Sequence, residues 1–339
     1  MALRLVEFLV PTDAADEVAG LLEEINAVHS WRIKTADERL LVRVLLDAQE
    51  TEALSDALMN RFGHSDAFRL VLLPIEATVP PLKQADESPA SAAESETPSE
   101  PARVSREELY QDLVEASQLT PIYLIMVALS TLVAIIGLTA NNVAVVIGAM
   151  VIAPLLGPNI ALALGTTLGD LEMVQRAVKT LGSGVAVAVL IALVWGVLFP
   201  VDPTVPEIAS RIQPGGRDVV LALAAGVAGT LAFTSGVSAT LVGVMVAVAL
   251  LPPLATMGLL AGAGYGTPAT GAAMLFLVNM TCINLAGVVT FLAQRVRPRT
   301  WWEAEKARRA IRVAVALWTG MLLVLIVLIW LSGSAFRLE

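Results

Sequence analysis

The sequence predicts an α-helical polytopic membrane protein with a small ferredoxin-like βαββαβ domain at its N-terminus. Of its 339 residues, 56% are hydrophobic and only 16% are charged, whereas soluble domains carry about 25% charged residues. Apolar stretches recur from Pro121 onward, and each approaches the roughly 20 residues that a helix needs to cross a bilayer. These observations predict about seven transmembrane helices, and an earlier pattern of short strands and helices predicts the soluble domain.

The predicted soluble domain covers residues 1–78. Its apolar runs predict strands over residues 3–10, 31–34, 40–46 and 68–75. Apolar residues at helical spacing predict one helix after Pro11 and another over residues 50–61. The resulting order is that of ferredoxin-like domains. Because this scaffold serves both ligand sensors and interaction modules, it names no function.

Charge is unevenly distributed along the chain. Residues 1–120 hold 23 of the 31 acidic groups and 10 of the 22 basic groups, a balance of −13. Such an acidic surface disfavours nucleic acid as a partner, because phosphate recognition needs basic residues. Cys282 is the single cysteine, and His29 and His64 have no partner at metal-ligand spacing. We therefore expect no metal site, no disulfide and no cofactor.

Two segments join the soluble domain to the membrane part. Residues 79–104 are rich in Pro, Ser, Ala and Glu, a composition that predicts a disordered acidic linker. Ser105 and Glu108 form a capping box that opens an amphipathic juxtamembrane helix over residues 105–120. Its amphipathic pattern suits a position on the membrane surface. The alternative is a plain stalk, because its acidic residues disfavour contact with anionic lipid.

The membrane part is predicted to cross the bilayer seven times. The predicted spans are residues 121–139, 142–165, 180–199, 218–235, 237–262, 268–293 and 311–332. The loop 294–309 carries six basic and two acidic residues, so it should face the cytoplasm. Counting back six spans also places the N-terminus in the cytoplasm, which agrees with the absence of a signal-peptide pattern. The expected location is the cell inner (plasma) membrane.

An internal repeat is visible within the membrane part. A shift of 95 residues aligns 137–165 with 232–260 without a gap, at nine identities in 29 positions. The shift carries the second span onto the fifth, so the copies have opposite orientations. The sequence thus predicts a 3+3 inverted repeat of about 121–199 and about 216–294, followed by the final helix 311–332.

Prolines interrupt the equivalent helix of each copy. They are Pro154 and Pro158, around Gly157, in the first copy, and Pro252 and Pro253 in the second. A proline inside a helix leaves backbone carbonyls without donors, which hydrocarbon cannot satisfy. Paired interruptions in inverted halves predict a transport site near the bilayer midplane. Alternatively, these prolines merely kink helices that pack closely through small residues.

Amides and hydroxyls are the polar groups available to complete such a site. The candidates are Asn141, Asn142, Asn159, Asn279, Thr281 and Asn284. Because no carboxylate or histidine lies among them, proton coupling through a buried side chain is not expected. Carbonyl, Asn and Thr oxygens suit a cation or a neutral solute, whereas the N-termini of broken helices suit an anion. The charge of the substrate stays open, and each Asn can equally be an interhelical contact.

These features favour a membrane transporter or channel-like permease, with the soluble domain as a cytoplasmic regulator. The alternative is a membrane-anchored sensor or scaffold without transport activity. An enzyme is not expected, because the chain contains no acid/base constellation or catalytic motif. The expected partners are the lipid bilayer and an ion or small solute, with a homo-oligomer as a further option.

The run from Asn141 to Pro158, NNVAVVIGAMVIAPLLGP, and the later VALLPPLA of residues 248–255 resemble a known family. It is the prokaryotic family called domain of unknown function 389. The similarity is close over roughly residues 115–295, and the segment ending in LPIEATVP, residues 73–80, resembles the usual leader of that family. The resemblance implies a multi-pass membrane protein and implies no particular substrate.

Overall fold

The computed structural model describes residues 3–25, 27–35, 37, 39–65, 68–75, 104, 106–235, 239–296, 312–313 and 315–327, with the backbone alone at 24, 48–49, 74 and 239–249. The chain divides into two compact units, Met1–Leu109 and Tyr110–Glu339. The first contains a small antiparallel sheet, and the second is helical. The predicted linker 79–104 and most of the basic loop 294–309 lie outside the described residues.

The first unit has the predicted order of elements. They are β1 (Leu3–Pro11), α1 (Ala15–Glu24), β2 (His29–Lys34), β3 (Arg39–Asp47), α2 (Ala48–Phe62) and β4 (Arg69–Pro74). The strands lie in the order β2-β3-β1-β4, and every neighbouring pair is antiparallel. Alternate residues of β1 and β3, such as Phe8 and Val44, are buried with Leu54 and Leu58 of α2. The period-two pattern therefore places one face of the sheet against the helices.

Helix α3 (Arg106–Ala116) begins in the first unit and ends in the second. Within the first unit, the guanidinium of Arg106 lies 2.7 Å from Asp56, and Glu108 lies 3.1 Å from Arg4. Leu109 is buried. Neither of the two interpretations of the predicted amphipathic helix included these ion pairs.

The last turns of α3 are held by hydrogen bonds within the second unit. The hydroxyl of Tyr110 donates to Asp170 at 2.7 Å, and the hydroxyl of Thr180 donates to the carbonyl of Ser117 at 2.7 Å. Burial and the bond to Asp170 raise the pKa of Tyr110 to about 12. The Tyr110 hydroxyl therefore keeps its proton, and the hydrogen bond its donor, throughout the neutral range.

Apolar helices fill the second unit. Their ranges are α4 (Pro121–Thr139), α5 (Val143–Ile152), α6 (Leu156–Leu168), α7 (Leu171–Leu198), α8 (Pro206–Ala209), α9 (Gly216–Thr234), α10 (Ala239–Gly262), α11 (Gly266–Ala293) and α12 (Val315–Val327). In the described part of the chain, α4, α7, α9 and α11 are long and apolar enough to cross a membrane. The bent pair α5–α6 makes a fifth candidate. The prediction of several apolar helices long enough to cross a membrane is confirmed.

Close helix packing in this unit depends on glycine. A Cβ atom on Gly196 of α7 would lie 2.2 Å from the carbonyl oxygen of Leu259 in α10. A Cβ on Gly262 of α10 would lie 2.1 Å from the carbonyl oxygen of Leu193 in α7. Since real atoms do not approach so closely, only glycine allows α7 and α10 to pack at this distance.

Candidate functional site

A break between α5 and α6 is the main irregularity among the apolar helices. The two helices are bent by 53° across the residues between them. Ala153 ends α5 in an extended conformation, as expected for a residue before proline. Pro154 follows without a backbone N–H, and α6 begins at Leu156. The interruption predicted at Pro154 is therefore observed, and it places Asn159 in the first turn of α6.

Asn159 contacts a second candidate residue, Asn284 of α11. The side-chain amide nitrogen of Asn284 donates to the side-chain oxygen of Asn159 at 2.5 Å and to the carbonyl of Met280 at 2.9 Å. Both asparagines are fully buried, at 0% exposure. The fold thus joins two candidates that lie 125 positions apart in the chain.

The pair leaves part of its hydrogen-bonding capacity unused. The amide nitrogen Nδ2 of Asn159 and the oxygen Oδ1 of Asn284 have no hydrogen-bond partner among the described residues. One is a donor and the other an acceptor. A buried group without a partner costs about 1–3 kcal/mol. The pair can accordingly bind a group that both accepts and donates a hydrogen bond.

Asn141 and Asn142 have structural roles away from this pair. Asn141 follows the C-cap of α4 and has a positive φ of 52°, a conformation that asparagine adopts more readily than most residues. Its side-chain oxygen accepts from the backbone N–H of Glu207 at 3.2 Å. Asn142 caps α5 by accepting from the N–H of Val145 at 3.2 Å. Both side chains are exposed and are already hydrogen-bonded.

The second predicted break is not present. Pro252 and Pro253 lie inside α10, which runs as one helix of 24 residues. Each proline removes only one donor, and packing against neighbouring helices lets a membrane helix continue through proline. α10 has such neighbours, because it packs on α7, α9 and α11. The expectation of two matched broken helices is therefore wrong in its second half.

The remaining candidates are closely packed. Pro158 and both prolines of α10 are buried. A Cβ on Gly157 would lie 2.7 Å from the Cβ of Ala116. Thr281 is buried, and its hydroxyl donates to the carbonyl of Leu277 in its own helix. Asn279 is nearly buried, at 6% exposure.

Three buried hydroxyls were not among the predicted residues. Tyr123 and Ser130 of α4 and Thr256 of α10 have hydroxyl oxygens without a hydrogen-bond partner among the described residues. Tyr123 and Leu155, which follows Pro154 in the break, lie against the same glycine of α7, Gly184. Isolated hydroxyls in apolar spans usually bond to their own helix, so the sequence carried no signal for them.

No group of three or more His, Cys, Asp or Glu side chains could hold a metal ion in the part of the chain that the structure describes. The described residues of α4, α5, α6 and α11 contain no charged side chain. The chemistry available around Asn159 is therefore hydrogen bonding by neutral groups.

Comparison with known proteins identifies the family. Uncharacterized protein MJ0678 of Methanocaldococcus jannaschii is 35% identical over 335 residues, covering 97% of this chain and 99% of that protein. The profile of DUF389, a family described as a domain of unknown function, matches residues 150–285. The chain belongs to the DUF389 family. The matched stretch begins just before the break and ends just after Asn284, so the bend and the asparagine pair both lie within the DUF389 domain. No solved structure matches the chain.

Proposed function

We propose that this DUF389 protein is a membrane transporter or channel-like permease, described here in a closed conformation. The observation that carries the proposal is the buried Asn159–Asn284 pair beside the bend of α5–α6. A pair that serves packing alone gains nothing from an unsatisfied donor and acceptor, whereas a binding site needs both. Because one donor and one acceptor are unused and the described residues of α6 and α11 carry no charge, a neutral hydrogen-bonding solute fits better than an ion.

A relation between two halves of the second unit supports this proposal. A shift of 95 residues carries α4 onto residues 216–234, the range of α9, and α7 onto residues 266–293, the range of α11. It also carries the range of α5–α6 onto residues 238–263, which include α10. With three elements in each half, the second copy would cross the membrane in the opposite sense. Transporters commonly have this inverted arrangement.

Packing between the halves also follows the shift. A Cβ on Gly258 of α10 would lie 2.6 Å from the Cβ of Ala192 in α7. The equivalent positions are 163 and 287, and a Cβ on Gly287 of α11 would lie 2.8 Å from the Cβ of Ala163 in α6. In one contact the glycine lies in the second half and the alanine in the first, and the equivalent contact again joins the two halves through a glycine and an alanine. A two-fold relation between the halves requires such a matched pair of contacts. In this proposal, α10 and α12 complete seven spans, and the N-terminus is cytoplasmic.

A second function, the membrane-anchored sensor or scaffold, is favoured by a different observation. Leu155, Pro158 and Asn159 at the bend and the residues around the prolines of α10 are buried, as in a bundle that only anchors the soluble unit. A transporter must open this region to water at some stage, whereas a scaffold need not. Access of water to the asparagine pair therefore separates the two functions.

Cysteine labelling tests this access. Position 254 is equivalent to 159 under the 95-residue shift, and both are fully buried. In a Cys282→Ala background, Asn159→Cys and Leu254→Cys should react with a water-soluble thiol reagent in native membranes. Leu138→Cys, equally buried near the end of α4, should remain unmodified. Position 157 is unsuitable, because a side chain there meets Ala116. If positions 159 and 254 react no faster than 138, the transport proposal fails and the scaffold is the better account.

A further inference from the structure

The first unit contains a cavity of about 310 Å³ at one end of its sheet. Leu9, Val10 and Pro11 of β1 and Arg39 of β3 form one side, where the two strands pair. Arg61 and Phe62 at the end of α2, with His64, Ser65 and Phe68 of the following loop, form the other side. This volume lies at the lower end of the roughly 300–1,000 Å³ of small-molecule sites, so the cavity can hold a small organic ligand.

Part of the cavity lining is apolar. Val10 is buried, and Leu9, Phe62 and Phe68 are partly buried. The rings of Phe62 and Phe68 have their centroids 6.0 Å apart. Aromatic and aliphatic side chains that remain partly exposed can cover the apolar body of a small ligand.

The rim is basic. The ionisable side chains among the described lining residues are Arg39, Arg61 and His64. This lining contrasts with the acidic background, because residues 1–120 carry a balance of −13. Arg61 is accounted for by its ion pair with Glu17 and by its position in the last turn of α2, where a positive charge stabilises the helix.

Arg39, in contrast, lies in a strand and forms no ion pair among the described residues. Its backbone pairs with Thr35, but no described carboxylate forms an ion pair with its guanidinium. A guanidinium beside an apolar cavity binds carboxylate through two parallel hydrogen bonds. We propose that the cavity binds a small carboxylate with an apolar body, held by Arg39 and by the apolar side chains of Val10, Phe62 and Phe68, all of which line it. The proposal concerns the first unit alone and does not depend on transport.

Calorimetric titration of the full-length protein in detergent tests this site. Phenylacetate, with about ten non-hydrogen atoms, is the probe, and phenylacetamide is its neutral match. Phenylacetate should bind at concentrations up to about 5 mM, which fills most of even a millimolar site, and phenylacetamide should bind at least about tenfold more weakly. Arg39→Gln should weaken phenylacetate binding by about tenfold or more.

Arg32→Gln is the matched control, because Arg32 is exposed on β2 and does not line the cavity. It should bind phenylacetate as the unsubstituted protein does. A circular-dichroism spectrum of the Arg39→Gln variant checks that it is folded. The proposal is overturned by an absence of phenylacetate binding, by equal binding of the acid and the amide, or by a folded Arg39→Gln variant of undiminished affinity.

Discussion

At the scale of single residues, Asn159 and Asn284 link α6 to α11 within apolar surroundings. Each retains one unsatisfied polar atom, and the energetic consequence depends on whether one or both amides are removed. Truncating one partner leaves the other buried without its bond, whereas replacing both by apolar groups removes the penalty.

Substitution of this pair should therefore be strongly non-additive. Asn284→Leu should lower the free energy of unfolding by about 1 kcal/mol, because the side chain of Asn159 then loses its hydrogen bond to Asn284. The double variant Asn159→Leu/Asn284→Leu should recover much of that loss. Stability is measured by unfolding in mixed detergent, with Thr281→Val as a control on the same helix. Additive losses in the double variant would show that the two amides are not coupled.

The sequence predicted Asn159 and Asn284 as candidate residues from their side-chain type. It did not predict that they bind each other. Asn159 and Asn284 were predicted because amides are rare in apolar spans, as were Asn141 and Asn142. The last two cap helix ends, a role that the sequence does not distinguish from a ligand contact when a helix boundary is uncertain by a residue. The hydrogen bond across 125 positions depends on helix packing, which local patterns do not encode.

At the scale of elements, two similar proline motifs have different outcomes. Ala153 is extended before Pro154 and the helix ends, whereas α10 continues through Pro252 and Pro253. Proline determines only its own φ and the loss of one donor. Whether the chain bends then depends on neighbouring helices. The sequence consequently predicted the ranges of these helices well, and the second break wrongly.

The contact between α7 and α10 can be tested with two glycines of the same helix. Gly196→Ala would place a Cβ 2.2 Å from the carbonyl oxygen of Leu259, so the helices must separate. We expect a loss of about 1–3 kcal/mol in the free energy of unfolding. Gly182 has nothing within 4 Å of the same position, so Gly182→Ala should be neutral or stabilising. Equal effects of the two substitutions, measured as melting temperatures in detergent, would contradict this packing.

At the scale of the whole molecule, the prediction that remains is the orientation in the membrane. The basic loop 294–309 favours the cytoplasm, and an even number of predicted spans separates it from the N-terminus. The exposed segment around α8 would then face the opposite side.

Labelling from each side of the membrane checks this orientation. In a Cys282→Ala background, Thr300→Cys should react with an impermeant thiol reagent only from the cytoplasmic side. Ser210→Cys, which is exposed next to α8, should react only from outside. Labelling of both positions from the same side would rule out the predicted crossings between them, and with them the inverted repeat.

The packing of helices that lie far apart in the chain has a consequence for biosynthesis. α7 packs on α10, and α6 packs on α11, but in each case the second helix is synthesised later. At about 5–20 residues per second, α7 waits on the order of ten seconds for α10 to leave the ribosome. During that interval its glycine-lined face meets lipid or a membrane insertase, and Asn159 has no Asn284 to bind. The asparagine hydrogen bond can therefore form only near the end of synthesis, when α11 enters the membrane.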